Sequence, residues 1–188
     1  MIPMGNMAPF GAKIPQYTAW NPSDKGTGIT LSNGNRTAVA SAQCIVRSVL
    51  SKSSGKWYWE LTIDDANYSC PGISDGSADL NLRPGFDAFS WAYQYNTGNK
   101  VNNGSATAYG AAYTLNDVLG FKLDADAGTV EILLNNASQG TITLTGLTRP
   151  YYAMWGSVNA LGGGATANFG SVAFAYSVPA GYNSGLYS

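Results

Sequence analysis

Histidine, the side chain that enzymes use most often for acid–base chemistry, is absent from this chain. Its absence from the 188 residues removes Ser-His and Cys-His nucleophile systems and imidazole-ligated metal sites. Carboxylates occur in two close pairs, Asp64/Asp65 and Asp124/Asp126, and glycoside hydrolysis uses two carboxylates. Both pairs fall at expected turns, where aspartate accepts hydrogen bonds from nearby backbone amides. We therefore expect no catalytic residues and no enzymatic activity.

The sequence also gives little support for a metal or a cofactor. The spacing of Asp124, Asp126 and Gly128 resembles the start of a calcium loop, but the position that needs a bidentate glutamate holds Asn135. Cys44 and Cys70 are the only cysteines, too few for a disulfide scaffold. We expect free, buried thiols, with a bridge between them as the alternative, and neither a metal nor a cofactor.

Charge and hydropathy together argue against nucleic acid and membrane as partners. The chain has 10 basic and 11 acidic side chains, a net charge of −1, and no cluster of lysine and arginine. We therefore expect no nucleic-acid binding. No apolar run approaches the roughly 20 residues that span a bilayer, and no secretory signal is readable at the start, so we expect no membrane insertion and synthesis in the cytoplasm.

The strand that would anchor any site is residues 57–63. Trp57, Trp59, Leu61 and Ile63 alternate with Tyr58, Glu60 and Thr62, and this period of two predicts a strand with one face on a core. Further short alternating segments follow, separated by turn residues such as Asn33-Gly34 and Asn103-Gly104. The pattern predicts an all-β fold, a two-sheet antiparallel sandwich. The expected core comprises Trp57, Trp59, Phe121, Leu123, Ile132 and Phe169.

Residues 1–18 differ from the domain predicted for residues 19–188. Their prolines and glycines exclude a helix and interrupt a strand. Large apolar side chains in such a segment are costly to leave in water, so we predict an extended arm that lies on a neighbouring subunit; a frayed terminus is the alternative. The proposed assembly residues are Ile2, Met4, Met7, Phe10 and Ile14.

The order of the motifs resembles the SPRY domain, a concanavalin-like β-sandwich that binds proteins. One departure is visible: the usual Asn-Gly turn after the strand at residues 130–134 is Asn135-Asn136 here, which still tolerates positive φ. The matching segments are Gly55-Lys56-Trp57-Tyr58-Trp59-Glu60, Gly72-Ile73, Ser90-Trp91-Ala92-Tyr93, Asn116-Asp117-Val118-Leu119-Gly120, residues 123–129, Asn168-Phe169-Gly170 and Pro179-Ala180-Gly181-Tyr182.

The resemblance implies a binding site on loops at one end of the sandwich. Two segments correspond to that rim, residues 74–86 and the turn after Trp155 followed by residues 157–164. Trp155 suits an exposed anchor, although a place in the core is the alternative. The predicted partner-binding residues are Asp75, Asp79, Leu80, Asn81, Arg83, Trp155 and Gly156.

The sequence is rich in Ser, Thr, Gly, Asn and Ala and is similar to SPRY modules of bacteriophage virion proteins. This similarity implies a non-enzymatic structural or adhesion protein of the virion: a tail-fibre or receptor-binding module, or a decoration protein of capsid or tail. Its expected partners are other virion subunits or a host surface receptor, protein or glycan, within a homo- or hetero-oligomeric assembly. A lectin-like carbohydrate-binding module is the alternative.

Overall fold

The computed structural model describes residues 15–160 and 162–188, and in these ranges the chain forms strands and no helix. None of the described residues therefore belongs to a helix able to cross a bilayer. The strands are β1 (Trp20–Lys25), β2 (Ile29–Ser32), β3 (Thr37–Ala40), β4 (Cys44–Lys52), β5 (Lys56–Asp65), β6 (Gly72–Ser74), β7 (Ser90–Tyr93), β8 (Asn99–Asn102), β9 (Ser105–Ala108), β10 (Val118–Asp124), β11 (Thr129–Leu134), β12 (Ala137–Thr143), β13 (Tyr151–Ser157), β14 (Gly164–Asn168) and β15 (Asn183–Ser184).

The strands form two sheets that pack face to face, which confirms the predicted all-β sandwich. One sheet has seven strands in the order β1-β4-β13-β6-β7-β8-β9. The other has the order β12-β11-β10-β5-β14-β3-β2, with the short β15 added in parallel beside β5. All other neighbours are antiparallel.

The core lies between the sheets and contains most of the residues that the alternation predicted. Trp59 stacks on Phe121 with ring centroids 5.2 Å apart, and Phe169 meets Trp20 edge to face at 5.1 Å. Leu123 and Ile132 are buried in the same cluster. Trp57 is only half-buried at the margin of the core, because it lies near one end of β5. Its ring contacts Lys52 and Tyr187 there instead of the centre of the core.

The opposite face of β5 is more buried than alternation alone predicts. Tyr58 and Glu60, on the side turned away from the core, are buried because the C-terminal segment (residues 170–182) crosses them. The Glu60 carboxylate accepts the backbone N–H groups of Ala175 and Tyr176 at 2.7 and 3.0 Å, and the Tyr58 hydroxyl at 2.7 Å. The face that the pattern assigned to solvent is thus a second packing surface.

Turn chemistry follows the sequence closely. Asn135 and Asn136 have φ values of 47° and 67°, which confirms that this pair closes the β11–β12 hairpin with positive φ. Asp117 accepts the N–H of Thr114 at 2.7 Å and the side-chain amide of Asn135 at 2.7 Å. Four strands, β1, β3, β9 and β15, were not predicted, because they lack alternating large apolar residues.

The described part of the chain begins beside its own C-terminus. Tyr17 forms a β-bridge with Tyr187, and the Thr18 N–H donates to the Leu186 carbonyl at 2.8 Å. The assembly residues Ile2, Met4, Met7, Phe10 and Ile14 lie outside the described residues, and the arm stays a prediction.

Candidate functional site

A long loop, residues 75–89, connects β6 to β7 and covers the outer face of the seven-stranded sheet. This β6–β7 loop contains most of the predicted rim residues. Beneath it is a second, smaller apolar cluster, separate from the main core, against which Leu80 and Val158 pack. The cluster consists of Ile45, Cys70, Ala78, Ala92 and Met154.

The loop is attached to the sheet by the buried guanidinium of Arg47. Its Nε and Nη2 atoms each lie 2.7 Å from a carboxylate oxygen of Asp24, a bidentate ion pair. Its Nη1 donates to the carbonyls of Asp75 and Ala78 at 3.0 and 3.2 Å. Because the charge is paired and both Nη1 donors are used, this buried ion can hold the loop in one place.

Asp75 positions the loop from within and does not face a partner. It is buried, and its carboxylate accepts the Ser77 N–H at 2.7 Å and both the N–H and the hydroxyl of Thr148 at 3.0 and 3.2 Å. The prediction of Asp75 as a contact residue is therefore corrected: its carboxylate joins the β6–β7 loop to the segment before β13.

The exposed part of the loop is fixed by further side-chain acceptors. Asp87 accepts the N–H groups of Asp79 and Phe89 at 2.9 and 3.0 Å. Asn81 accepts the Thr27 N–H at 3.1 Å, and the half-buried Leu80 accepts the Ile45 N–H at its carbonyl at 2.9 Å. Of the predicted residues, Asp79, Asn81 and Arg83 are exposed here.

Trp155 and Gly156 are not rim residues, and their prediction as partner-binding residues is corrected. Both are buried in β13; Trp155 is 0% exposed and its indole N–H donates to the Ser69 hydroxyl at 2.8 Å. A Cβ on Gly156 would lie 2.1 Å from the Cys44 carbonyl and 2.9 Å from Cγ of Pro84. The glycine therefore lets the β6–β7 loop approach the sheet closely.

The loop exposes two aromatic rings that the sequence interpretation did not select. Phe86 and Phe89 are 44% and 41% exposed. The Arg83 guanidinium lies 4.6 Å from the centroid of the Phe86 ring. Leu82, Arg83 and Phe86, together with Gln43, line a shallow depression of about 290 Å³. We call Leu82, Arg83, Phe86 and Phe89 the loop patch.

A sequence signal for the loop patch existed. Two phenylalanines follow Pro84-Gly85 within a segment rich in Asp, Asn, Ser and Gly. Such a segment predicts a surface loop, and aromatic side chains on a surface loop suggest contact with a partner. Trp155 drew attention because tryptophan is a strong anchor type, but residue type alone does not give exposure.

The carboxylate pairs hold turns, as their positions predicted. Asp124 accepts the Ala127 N–H at 2.9 Å, Asp126 accepts the Gly55 N–H at 3.0 Å, and Asp65 accepts the Asn67 N–H at 2.9 Å. Within residues 15–160 and 162–188, no three His, Cys, Asp or Glu side chains lie together as a metal site would require.

The two thiols are free and buried, as predicted. Burial raises the pKa of Cys70 to about 12 and also raises the pKa of Cys44. Both therefore stay protonated near neutral pH and are poor nucleophiles.

Comparison with known proteins settles the family. Residues 56–165, more than half of the chain, match the family model described as "SPRY domain". The chain belongs to the SPRY domain family. SPRY domains are typically protein–protein interaction modules, so the geometry of the loop patch can be considered for that role.

Several solved structures share this architecture at low sequence identity. The SPRY domain of human HERC1 is 19% identical with a TM-score of 0.68, over 79% of this chain and 96% of that one. The TRIM65 PSpry domain is 18% identical with a TM-score of 0.65, over 81% and 92%. Stonustoxin is 21% identical with a TM-score of 0.67, over 81% of this chain and 27% of the toxin chain. These similarities concern the fold.

A curated relative is more similar in sequence. The ATP-dependent RNA helicase DDX1 of Xenopus laevis is 30% identical over 135 residues, 69% of this chain. The chain spans 18% of the length of that helicase.

Proposed function

We propose that this chain is a non-enzymatic protein-binding SPRY module that contacts its partner through the loop patch. The observation that carries the proposal is the exposure of Phe86 and Phe89 on a loop whose backbone is held by the buried Arg47. Aromatic side chains and arginine are enriched among the residues that dominate binding energy. Arg83 beside Phe86 supplies both types in one place.

The attachment of the loop favours binding. A flexible loop loses conformational freedom when a partner orders it, and this loss lowers affinity. Here Asp75, Asp87 and Asn81 already fix the backbone around the exposed rings. Little ordering therefore remains to oppose association.

The narrower part of the proposal assigns this module to a bacteriophage virion, as a tail-fibre, receptor-binding or decoration subunit. Its support is the Ser-, Thr-, Gly-, Asn- and Ala-rich sequence and the net charge of −1, which gives little repulsion between packed copies. The human and Xenopus laevis relatives lend it no support. Mass spectrometry of purified particles from the source tests it, and absence of the chain from every particle preparation would contradict it.

The binding site is tested with a partner captured by photo-crosslinking. A photoreactive phenylalanine analogue at position 86 captures the partner in producing cells, and the same analogue at Leu115 is the control, because Leu115 is 54% exposed on a different surface. The purified partner is then titrated against Phe86→Ala, Phe89→Ala and Leu115→Ala.

We expect each phenylalanine variant to weaken binding about tenfold or more, the usual effect of removing a dominant contact residue. Leu115→Ala should bind like the wild type. Unchanged affinity in both phenylalanine variants would contradict the proposal. Binding to glycans alone would favour the lectin-like alternative.

A further inference from the structure

Strand β9 forms a free edge of the seven-stranded sheet, and all four of its residues are exposed. Asn103 and Gly104 close the β8–β9 hairpin with φ values of 48° and 71°. In the paired register, Asn102 lies opposite Ser105 and Lys100 opposite Thr107. This edge strand has an uncovered side.

The hydrogen-bond alternation identifies which groups are free. The Gln94 N–H donates to the Asn99 carbonyl at 2.9 Å, so alternate residues Asn99 and Val101 direct their backbone groups toward β7. Lys100 and Asn102 therefore face β9, and their partners Thr107 and Ser105 face β8. It follows that the N–H and C=O groups of Ala106 and Ala108 point away from the sheet. No hydrogen bond outside the strand ladders of the described residues uses them.

The other edges of the two sheets are irregular or partly covered by side chains. Strand β1 carries Pro22, two charged residues and an irregular register. On β12, the Gly140 carbonyl accepts the Tyr109 hydroxyl at 2.5 Å, and on β2 the Ile29 carbonyl accepts the Lys25 ammonium at 2.7 Å. Proline, charge, bulges and side-chain cover all prevent pairing with another chain. Strand β9, Ser-Ala-Thr-Ala, has no charge, proline or register shift.

The open edge adjoins the loop patch. The β8–β9 turn is bonded to the β6–β7 loop, with the Asn103 N–H on the Asp87 carbonyl at 2.9 Å and the Gly104 N–H on the Gly85 carbonyl at 3.0 Å. Cδ2 of Phe86 lies 4.0 Å from the position that a Cβ on Gly104 would occupy. A chain that paired with β9 would therefore run beside an exposed aromatic ring.

We propose that the partner contributes an extended segment that pairs with β9 as an additional strand and places an apolar side chain on Phe86. The inference rests on the proposed function and specifies how its site is used. The outward N–H and C=O groups of Ala106 and Ala108 can form hydrogen bonds with the N–H and C=O groups of another backbone. An extended strand presents such groups along its edge, and a helix does not. A second copy of this chain would offer only Ser-Ala-Thr-Ala, which has no large side chain for Phe86.

The probe is a displayed library of random 12-residue peptides, selected on the immobilised chain and titrated as purified peptides. Ala106→Pro removes an N–H that faces away from β8, so the β8–β9 ladder keeps its hydrogen bonds. Ala106→Val is the matched control, because it keeps the N–H and suits a strand. We expect selected peptides to bind Ala106→Pro at least about tenfold more weakly and Ala106→Val within about twofold of the wild type.

Amide hydrogen exchange gives a second measurement on the unaltered chain, which serves even if Ala106→Pro fails to fold. The amides of Ala106 and Ala108 should exchange at least about tenfold more slowly when peptide is bound. Unchanged exchange at both amides, unchanged affinity of Ala106→Pro, or a selection that yields no binder would overturn the inference. So would self-association through β9 that Ala106→Pro abolishes.

The variants also separate this inference from the proposed function. If Phe86→Ala weakens the photo-crosslinked partner while Ala106→Pro binds it normally, the loop patch stands as the site and strand addition is wrong. If neither variant changes its affinity, both proposals fail.

Discussion

Arg47 combines a bidentate ion pair with Asp24 and two hydrogen bonds to carbonyls of the β6–β7 loop. Arg47→Ala would leave a carboxylate and two carbonyls without their donor. Because breaking a buried pair is strongly destabilising, we expect the free energy of unfolding to fall by about 3–5 kcal/mol. The free energy of unfolding of Arg47→Lys should lie between those of Arg47→Ala and the wild type, since an ammonium keeps the charge but not the planar arrangement of donors. Urea denaturation measures both, and a loss below about 1 kcal/mol for Arg47→Ala would contradict this role.

Truncation of core aromatic residues should lower stability much more than truncation of surface aromatic residues. Trp59 and Trp155 are fully buried, so Trp59→Ala and Trp155→Ala should each cost about 3–5 kcal/mol through the cavity they leave. Phe86→Ala, on the exposed loop patch, should change stability by less than about 0.5 kcal/mol. Thermal or urea melts of the three variants decide this. A wild-type melt for Trp155→Ala would return that residue to the list of surface anchors.

Residue type and spacing predicted the face of the strand on which a side chain lies. They did not predict which distant segments cover that face. Alternation correctly placed Trp59, Leu61 and Ile63 in the core. It could not show that Tyr58 and Glu60 are also buried, because the segment that covers them lies more than a hundred residues later in the chain. Exposure of Phe86 depends on how the β6–β7 loop folds over the outer face of its sheet. Burial of Trp155 depends on the second sheet, which packs against the inner face of β13. Local pattern encodes neither.

Among the elements, the β10–β11 hairpin should show a defined pH dependence. The Asp124 carboxylate accepts the Ala127 N–H at 2.9 Å and lies 3.3 Å from the Lys56 ammonium. The backbone hydrogen bond, followed by the contact with Lys56, lowers the pKa of Asp124 below its ordinary value of 3.8. A carboxyl whose pKa is lower in the folded state stabilises the fold above its unfolded pKa, and that stability is lost as pH falls through the folded value.

We therefore expect Asp124→Asn to be less stable than the wild type near neutral pH, with the difference shrinking as the solution is acidified below about pH 4. Urea midpoints measured from neutral to acid pH test this. A difference that stays constant over the whole range would show that the carboxylate contributes through shape and not through its charge.

Strands with strong alternation were predictable, whereas the elements that we propose contact a partner carry no periodic signal. The hairpins formed by β10, β11 and β12 follow from apolar alternation and turn residues. Strand β9 consists of small residues with no buried face, so no periodic signal marks it. The loop patch likewise has no periodic pattern of burial, and only the residue types around Pro84-Gly85 mark it in the sequence.

At the scale of the whole molecule, deletion tests the predicted assembly role of the N-terminal arm. Deleting residues 2–14 leaves Tyr17 and Thr18 to pair with the C-terminus. If the arm joins subunits, the deletion should reduce the mass in solution or abolish incorporation into particles, while the melting temperature changes little. Light scattering on both forms measures this. An unchanged mass and unchanged incorporation would reduce the arm to a dispensable terminus.

The pairing of Tyr17 with Tyr187, and the bond from the Ser188 N–H to the Gln16 carbonyl at 3.2 Å, bring the two ends of the sandwich within one strand spacing of each other. Domains with adjacent ends can be inserted into another protein, since the host chain enters and leaves at nearly the same point. The fold is therefore suited to insertion as a domain within a longer chain. A circular permutant that joins residue 188 to residue 15 and opens the chain between Ser53 and Ser54 should fold.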